Sequence, residues 1–216
     1  MDILNFISWL KIGKYSLTMP AGAVTVVGVP NTNRGDSFLP VTVPVTAFAG
    51  SNIGKLIGGG IVVGEWDENG VKKALVASLT TLSSSLPWTD SAYQGGPLVP
   101  GGAASYSNGL TNTNAIIAQT GVSATTAYAA GIARLYKGGS FTDWYLPAAW
   151  ELKMCYNAAT VVNRILGANG FAVDFYWSST EVNATEALTI DFSDGSFFLT
   201  PKATGANVRA VRIHTL

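Results

Sequence analysis

Three β-branched apolar stretches of this chain are cut short by glycine or proline. The run from Ile57 to Val63 contains Gly58, Gly59 and Gly60. Val24 to Val29 stops at Pro30, and Val41 to Val45 contains Pro44. A membrane-spanning helix needs about 18 or more apolar residues in succession, and the chain has no such stretch. Short elements joined by many turns are what this punctuation allows. A length of 216 residues fits one large domain, or one domain with a smaller module, and is enough to bury a core.

Charge narrows the choice further. Hydrophobic residues make up 48% of the chain and charged residues 12%, and the formal net charge is zero. A free monomer needs more polar cover than that, so part of the apolar surface is expected to be hidden in an oligomer. A neutral chain exerts no long-range pull on nucleic acid or anionic membrane, and neither is expected as a partner. The lone cysteine, Cys155, excludes an intrachain disulfide and suits folding in a reducing cytoplasm. The apolar start, Met1 to Leu10, carries Asp2 and Asn5 but lacks a basic leader and a small-residue cleavage site. It reads as a docking segment rather than a signal peptide.

Composition shifts near residue 52. The first part holds Pro20, Pro30, Pro40 and Pro44 and short β-branched runs, Val24–Val29 and Val41–Val45, which read as edge strands. It is too small to build a core alone. We therefore assign residues 1–52 to an attachment or oligomerisation arm and 53–216 to a separate domain. In the domain, Ile61-Val62-Val63 and Val71 to Leu79 flank the turn Asp67-Glu68-Asn69-Gly70, with Asn-Gly as the hairpin signal. A long Gly-, Ser- and Pro-rich stretch, Ser83 to Asn112, follows. Helices are expected from Asn114 to Gln119 capped by Asn112 or Thr113, and from Ala124 to Tyr136 capped by Ser123 with Tyr128, Ile132 and Leu135 on one face. A third begins at Pro147, turns Trp150 and Met154 to the core, and ends at Gly167. Ala187 to Phe192, Phe197 to Thr200 and Val208 to Ile213 read as closing strands. The class is α+β.

Seven blocks in order then carry a resemblance. They are Gly59 to Val62; Thr111 to Ile116; Phe141-Thr142-Asp143-Trp144-Tyr145-Leu146-Pro147; Glu151-Leu152; Tyr176-Trp177-Ser178-Ser179-Thr180-Glu181; Asp191-Phe192-Ser193-Asp194-Gly195; and Val208-Arg209-Ala210-Val211-Arg212. Together they resemble the DUF1566, or Lcl C-terminal domain, family. The resemblance implies a C-type-lectin-like fold and an extracellular binding role, as in bacterial adhesins and phage tail proteins. It also implies that the two ends of the domain meet, with Ile61–Val63 antiparallel to Val208–Ile213. Some relatives are diversified in the segment after the Trp-Ser-Ser-Thr-Glu block. Separately, Met1 to Trp9 and Asn33-Arg34-Gly35-Asp36 with Phe38-Leu39 are similar to the starts of structural proteins of large aquatic bacteriophages.

The chemistry-bearing residues point the same way. Arg34-Gly35-Asp36 is a short tripeptide that reads as a solvated turn. The glycines at 58–60 precede a strand and lack a following Lys-Ser/Thr, so they are not a phosphate loop. Glu181, Glu186, Asp191 and Asp194 are the acids a glycosidase would draw on, but no further catalytic signature accompanies them, and the chain reads as no enzyme. His214 is the only histidine, so no histidine-built metal site is expected; an oxygen-ligand calcium site stays open, and no cofactor is expected. Trp144 and Trp177 are expected in the core, whereas Trp66 and Trp88 lie beside loops. The alternating strands between Val182 and Asn207 offer a face for ligand. The candidates are Asn183, Thr185, Glu186, Thr189, Ser196, Lys202 and Asn207, with Trp88 beyond them.

The expectation is a phage virion protein assembled in the host cytoplasm: a tail fibre or receptor-binding adhesin. It would be held to other virion proteins, most simply as a trimer, through residues 1–52, and would recognise a host-surface glycan or protein. The alternatives are a capsid decoration, head-fibre or connector protein without receptor binding and, in another class, a polysaccharide-acting enzyme.

Overall fold

The computed structural model describes residues 15–18, 23–28, 41–44 and 50–216, apart from 122 and 123. The chain divides into two compact units, residues 1–51 and 52–216. In the first, β1 (Tyr15–Thr18), β2 (Ala23–Gly28) and β3 (Val41–Pro44) form an antiparallel sheet in that order. The valine runs supply β2 and β3. β1 had no mark in the sequence. Met1 to Trp9, Arg34-Gly35-Asp36 and the proposed cap Ser123 lie outside the described residues.

The second unit is α+β. Its four-stranded sheet has the order β12-β6-β5-β4, from β4 (Leu56–Ile57), β5 (Gly60–Glu68), β6 (Val71–Ala77) and β12 (Val211–Thr215). Asn69 and Gly70 both take positive φ, 54° and 80°, the conformation a two-residue hairpin turn requires. The expected pairing of Ile61–Val63 with the C-terminal strand is corrected. Val211 pairs with Ala77, and Ala77 in turn pairs with Ile61. The hairpin occupies one edge of β5 and β4 the other, so the C-terminal strand can only join β6. The two ends share one sheet with β6 between them.

The run Val208–Ile213 is not one strand either. β11 (Ala206–Val208) belongs to a second sheet, ordered β10-β9-β8-β11-β7, and β12 to the first. The second sheet contains β7 (Ser83–Leu86), β8 (Phe175–Glu181), β9 (Glu186–Asp191) and β10 (Phe197–Pro201). Between β11 and β12 the buried Arg209 donates from Nη1 to the carbonyls of Asn169 and Gly170 at 3.0 and 3.3 Å. Its guanidinium stacks 4.5 Å from the Phe171 ring. A buried residue that must reach these carbonyls breaks the ladder where the chain crosses from one sheet to the other.

Helices cover both faces of the first sheet. α3 (Ala149–Leu166) lays Leu152, Cys155, Ala158 and Val162 against Ile61, Val63, Leu75, Ala77 and Val211. On the opposite face Val62, Ala74 and Val76 meet Ile116 of α1 (Gly109–Gln119) and Ala129, Ala130 and Ala133 of α2 (Ala129–Leu135), with Trp144 and Trp177. Burial on both faces explains why β5 and β6 read as continuous apolar runs. α1 starts earlier than expected: Asn108 is its cap, accepting from the Thr111 amide at 3.0 Å. Asn112 and Thr113 are instead buried ties to the Ser105 backbone and to Leu146. α2 is shorter than expected and buries its alanines, while Leu135 is exposed. α3 is continuous to Leu166, with Gly167 at its end at φ 57°. Trp150 points outward, contrary to expectation. The buried stripe through Leu152, Cys155 and Val162 leaves position 150 on the other side of the helix.

Candidate functional site

The residues proposed for ligand binding do not share a surface. Trp88 is fully buried, and its indole donates to the Ser178 carbonyl at 2.8 Å. The Lys202 ammonium lies 5.0 Å from that ring, forms a 2.6 Å ion pair with Glu181 and donates to the Ala184 carbonyl at 2.8 Å. Both oxygens of Glu181 accept from the Val99 amide at 3.1 Å. This knot ties the long loop, the end of β8 and the segment after β10 together inside the domain. The basic side chain that looked like a ligand contact is a fastener.

The other candidates are also engaged. Thr189 is buried and its hydroxyl shares a 2.7 Å bond with Thr200. Asn207 is buried and donates to Asp174 and the Phe175 carbonyl, each at 3.0 Å. At the tip of the β8–β9 hairpin, Asn183 Oδ1 accepts from the amides of Thr185 and Glu186, and Nδ2 donates to Glu186 Oε2. Ser196 lies in the β9–β10 turn, at the opposite end of β9, where its amide donates to Asp194. Only Thr185 and Ser196 of the set are exposed. One face of β9 was expected to stay free, but both are covered: Ala187, Leu188, Thr189 and Ile190 are all buried.

The acids are occupied as well. Asp191 accepts from the Ser193 amide, and Asp194 is held below the usual carboxylate range by its bonds from Ser196. A carboxylate not singled out by the sequence, Glu151, is buried at the start of α3. It accepts from the amides of Gly109 and Ala148 at 3.1 and 2.8 Å and from the Tyr145 hydroxyl at 2.9 Å. Burial raises its pKa, against the lowering effect of these donors. Cys155 is a core side chain whose thiol is pushed up to about 12 by burial. His214 sits 3.5 Å from Arg212, whose guanidinium forks onto Asp143 at 2.6 and 2.9 Å. That partner holds the Asp143 carboxyl below its ordinary value. Among the described residues, no group of three or more His, Cys, Asp or Glu gathers as a metal site.

What the fold does present is a pair of aromatic rings. Trp150 is 61% exposed and Tyr106 44%, with centroids 6.0 Å apart and planes tilted by 53°. The Trp150 amide donates to the Tyr106 carbonyl at 2.8 Å. The backbone beneath them is braced from several directions. Thr180 Oγ1 donates to the Ser105 carbonyl and accepts from the Ala149 amide, at 2.9 and 3.0 Å. Asn112 clamps Ser105 at both its amide and its carbonyl, and the Glu181 amide donates to the Ala103 carbonyl. Ser107 and Asn108 lie exposed beside the pair in the chain. Ring faces and nearby hydroxyl and amide groups on a fixed backbone suit stacking and hydrogen bonding, the two interactions that hold a sugar.

The sequence profile of the Lcl C-terminal domain matches residues 79–212. The chain belongs to this family. No curated protein matches the chain. The matched region of this Lcl C-terminal domain protein takes in the long loop, all three helices and the whole second sheet. Its Trp-Ser-Ser-Thr-Glu block is the structural hub. Trp177 donates to the Leu86 carbonyl, Ser178 to the Leu188 carbonyl, the Ser179 amide to the Pro147 carbonyl, and Thr180 braces the ring pair. Trp144 and Trp177 are fully buried, as expected.

Proposed function

We propose that this Lcl C-terminal domain protein is a non-enzymatic bacteriophage adhesin with a C-type-lectin-like binding domain. In this reading residues 1–52 attach it to other virion proteins as a trimer, and the domain engages a host-surface glycan. The observation that carries the reading is the exposed Tyr106–Trp150 pair on a backbone braced by the family's own hub residues. Family membership supports surface association, and the similarity of the first residues to phage structural proteins supports the virion. A binding role also accords with the acids, which serve as turn and core fasteners.

The test is binding of purified full-length protein to host cells and to a panel of bacterial surface polysaccharides. Tyr106→Ala and Trp150→Ala should each weaken binding about tenfold, the order expected for losing one well-placed aromatic contact. Both should leave the melting temperature unchanged. Undiminished binding by the double variant would remove the site. Release of sugar from any polysaccharide in the panel would favour the enzyme reading instead.

A further inference from the structure

β10 is the outer strand of the five-stranded sheet, and among the described residues no strand lies on its free edge. Outer strands usually carry lysines, prolines or inward-pointing charges that deter pairing. Ser196-Phe197-Phe198-Leu199-Thr200 carries no charge, and Phe197, Phe198 and Leu199 are 42%, 44% and 55% exposed. Phe198 packs edge-on against the half-exposed Phe175 at 5.3 Å on one face. Phe197 and Leu199 lie on the other face.

The hydrogen-bond phase of this edge follows from the hairpin. The Asp191 amide donates to the Ser196 carbonyl at 3.0 Å, and Phe198 stands opposite Thr189. Bonded and non-bonded pairs alternate along an antiparallel ladder, so Thr189 and Phe198 are bonded to each other. The amides and carbonyls of Phe197 and Leu199 therefore point away from β9. Pro201, the next outward-facing position, has no amide. At the other end the Gly195 amide is taken by Asp191 and its carbonyl by Lys153. The open edge is bounded to Ser196–Thr200.

We propose that β10 pairs antiparallel with β10 of a second copy about a two-fold axis through Phe198. In this register Phe197 faces the second copy's Leu199, and both residues complete their backbone hydrogen bonds. Ser196 faces the second copy's Thr200, hydroxyl to hydroxyl, and the paired strands carry no charged residue; Lys153, 5.8 Å from the Phe197 ring, stays at the margin on the Gly195 carbonyl. The neighbouring registers set Leu199 against Gly195 or Phe197 against Pro201, each of which lacks a free backbone group. A foreign strand would have to match this short apolar edge, whereas a second copy matches it by symmetry. At these exposures the aromatic and leucine side chains offer roughly 350 Å² of apolar surface per copy, given about 150–250 Å² for a whole aromatic side chain. Divided between the two faces of the strand, that area is no larger than an ordinary monomer's apolar patch, so the pairing is argued from the open, uncharged hydrogen-bonding edge. Two such patches make a small, reversible interface rather than a permanent one, populated at roughly 100 μM.

The experiment is light scattering of the full-length protein from ~1 to ~300 μM, the range a small interface calls for. Particle mass should at least double across it, since a trimer offers three such edges. Leu199→Lys sets like charges across the axis and should abolish the doubling without lowering the melting temperature. Phe198→Cys should form a disulfide-linked dimer under mild oxidation, while the exposed control Thr204→Cys should not; the buried Cys155 stays silent. Constant mass, doubling that survives Leu199→Lys, or cross-linking of Phe198→Cys no faster than the control overturns the proposal. If Leu199→Lys fails to fold, the cross-linking comparison decides by itself.

Discussion

Trp88 and Trp150 are the same residue type, each beside a charged or polar stretch, and they end in opposite environments. Trp88 is sealed in the core under an ammonium group, its N–H bonded to a β8 carbonyl. Trp150 stands outside on the first turn of α3 beside Tyr106. Around Trp88 the charged residues Lys202 and Glu181 are inside. Around Trp150 the aromatics are outside. The pair teaches that in this domain polarity does not mark which side chains face water: buried polar groups assemble the loops, and the Tyr106 and Trp150 rings stand in solvent.

The sharpest way to break the comparison is at the buried end. Trp88→Ala opens a cavity and removes the donor to the Ser178 carbonyl, and should cost about 3–5 kcal/mol in denaturant unfolding. A cost comparable to that of a surface change would mean that Trp88 is not the keystone it resembles. Lys202→Met alone leaves the Glu181 carboxylate buried without its partner, an expected loss of about 3–5 kcal/mol. Combining it with Glu181→Gln removes both charges and keeps an acceptor for Val99, so the double variant should be the more stable of the two. If the double variant unfolds more readily, the Glu181 carboxylate is satisfied by the Val99 amide without Lys202.

A smaller, pH-dependent effect sharpens the picture at the start of α3. The Glu151 carboxyl is raised by burial, so the folded state keeps its proton over a range where the unfolded chain has lost it. Stability from this group is present below the ordinary carboxylate value and declines as pH rises towards the folded value. Glu151→Gln keeps an acceptor for both amides. Its melting temperature relative to the parent should therefore improve as pH rises through the carboxylate range. A difference independent of pH would remove the assignment. The smallest effect is expected at the exposed end, where Trp150→Ala should change stability by less than about 0.5 kcal/mol. Cys155, buried and with its thiol near 12, should resist thiol reagents until the domain unfolds. Rapid labelling of the native protein would show an opening of the α3 face that the packing does not suggest.

Much of the fold could be read from local pattern. The Asn69-Gly70 turn, the β9–β10 hairpin about Asp194-Gly195, Gly167 ending α3 and the buried Trp144 and Trp177 all rest on residues acting on their immediate neighbours. The misreadings share one cause. Thr189 and Asn207 are polar residues on alternating strands and Lys202 follows one, and alternation assigns them to a solvent face. That inference fails when the polar group finds a partner inside the domain: Glu181 for Lys202, Thr200 for Thr189 and Asp174 for Asn207. Trp150 could have been placed correctly: it lies off the stripe Leu152–Cys155–Val162, and the helical period alone puts it outside. Tyr106 carried no such signal, since a loop residue's exposure depends on what braces the loop.

By itself the sequence determined the α+β class, the family, the turns at Asn69-Gly70 and Asp194-Gly195 and the C-terminal ends of the helices, because glycine and periodicity act within a few residues of themselves. It also supplied the uncharged Ser196–Thr200 strand. The tertiary structure decided which side of each element faces water. It placed β6 between β5 and β12, split the last strand at Arg209, enclosed Lys202 with Glu181 and Trp88, and brought Tyr106 to Trp150. Those outcomes depend on hydrogen bonds and contacts between residues tens of positions apart, such as Glu181 to Val99 and Thr180 to Ser105. No local pattern encodes a partner at that distance, so burial of a polar group and exposure of a ring are settled only when the layers close.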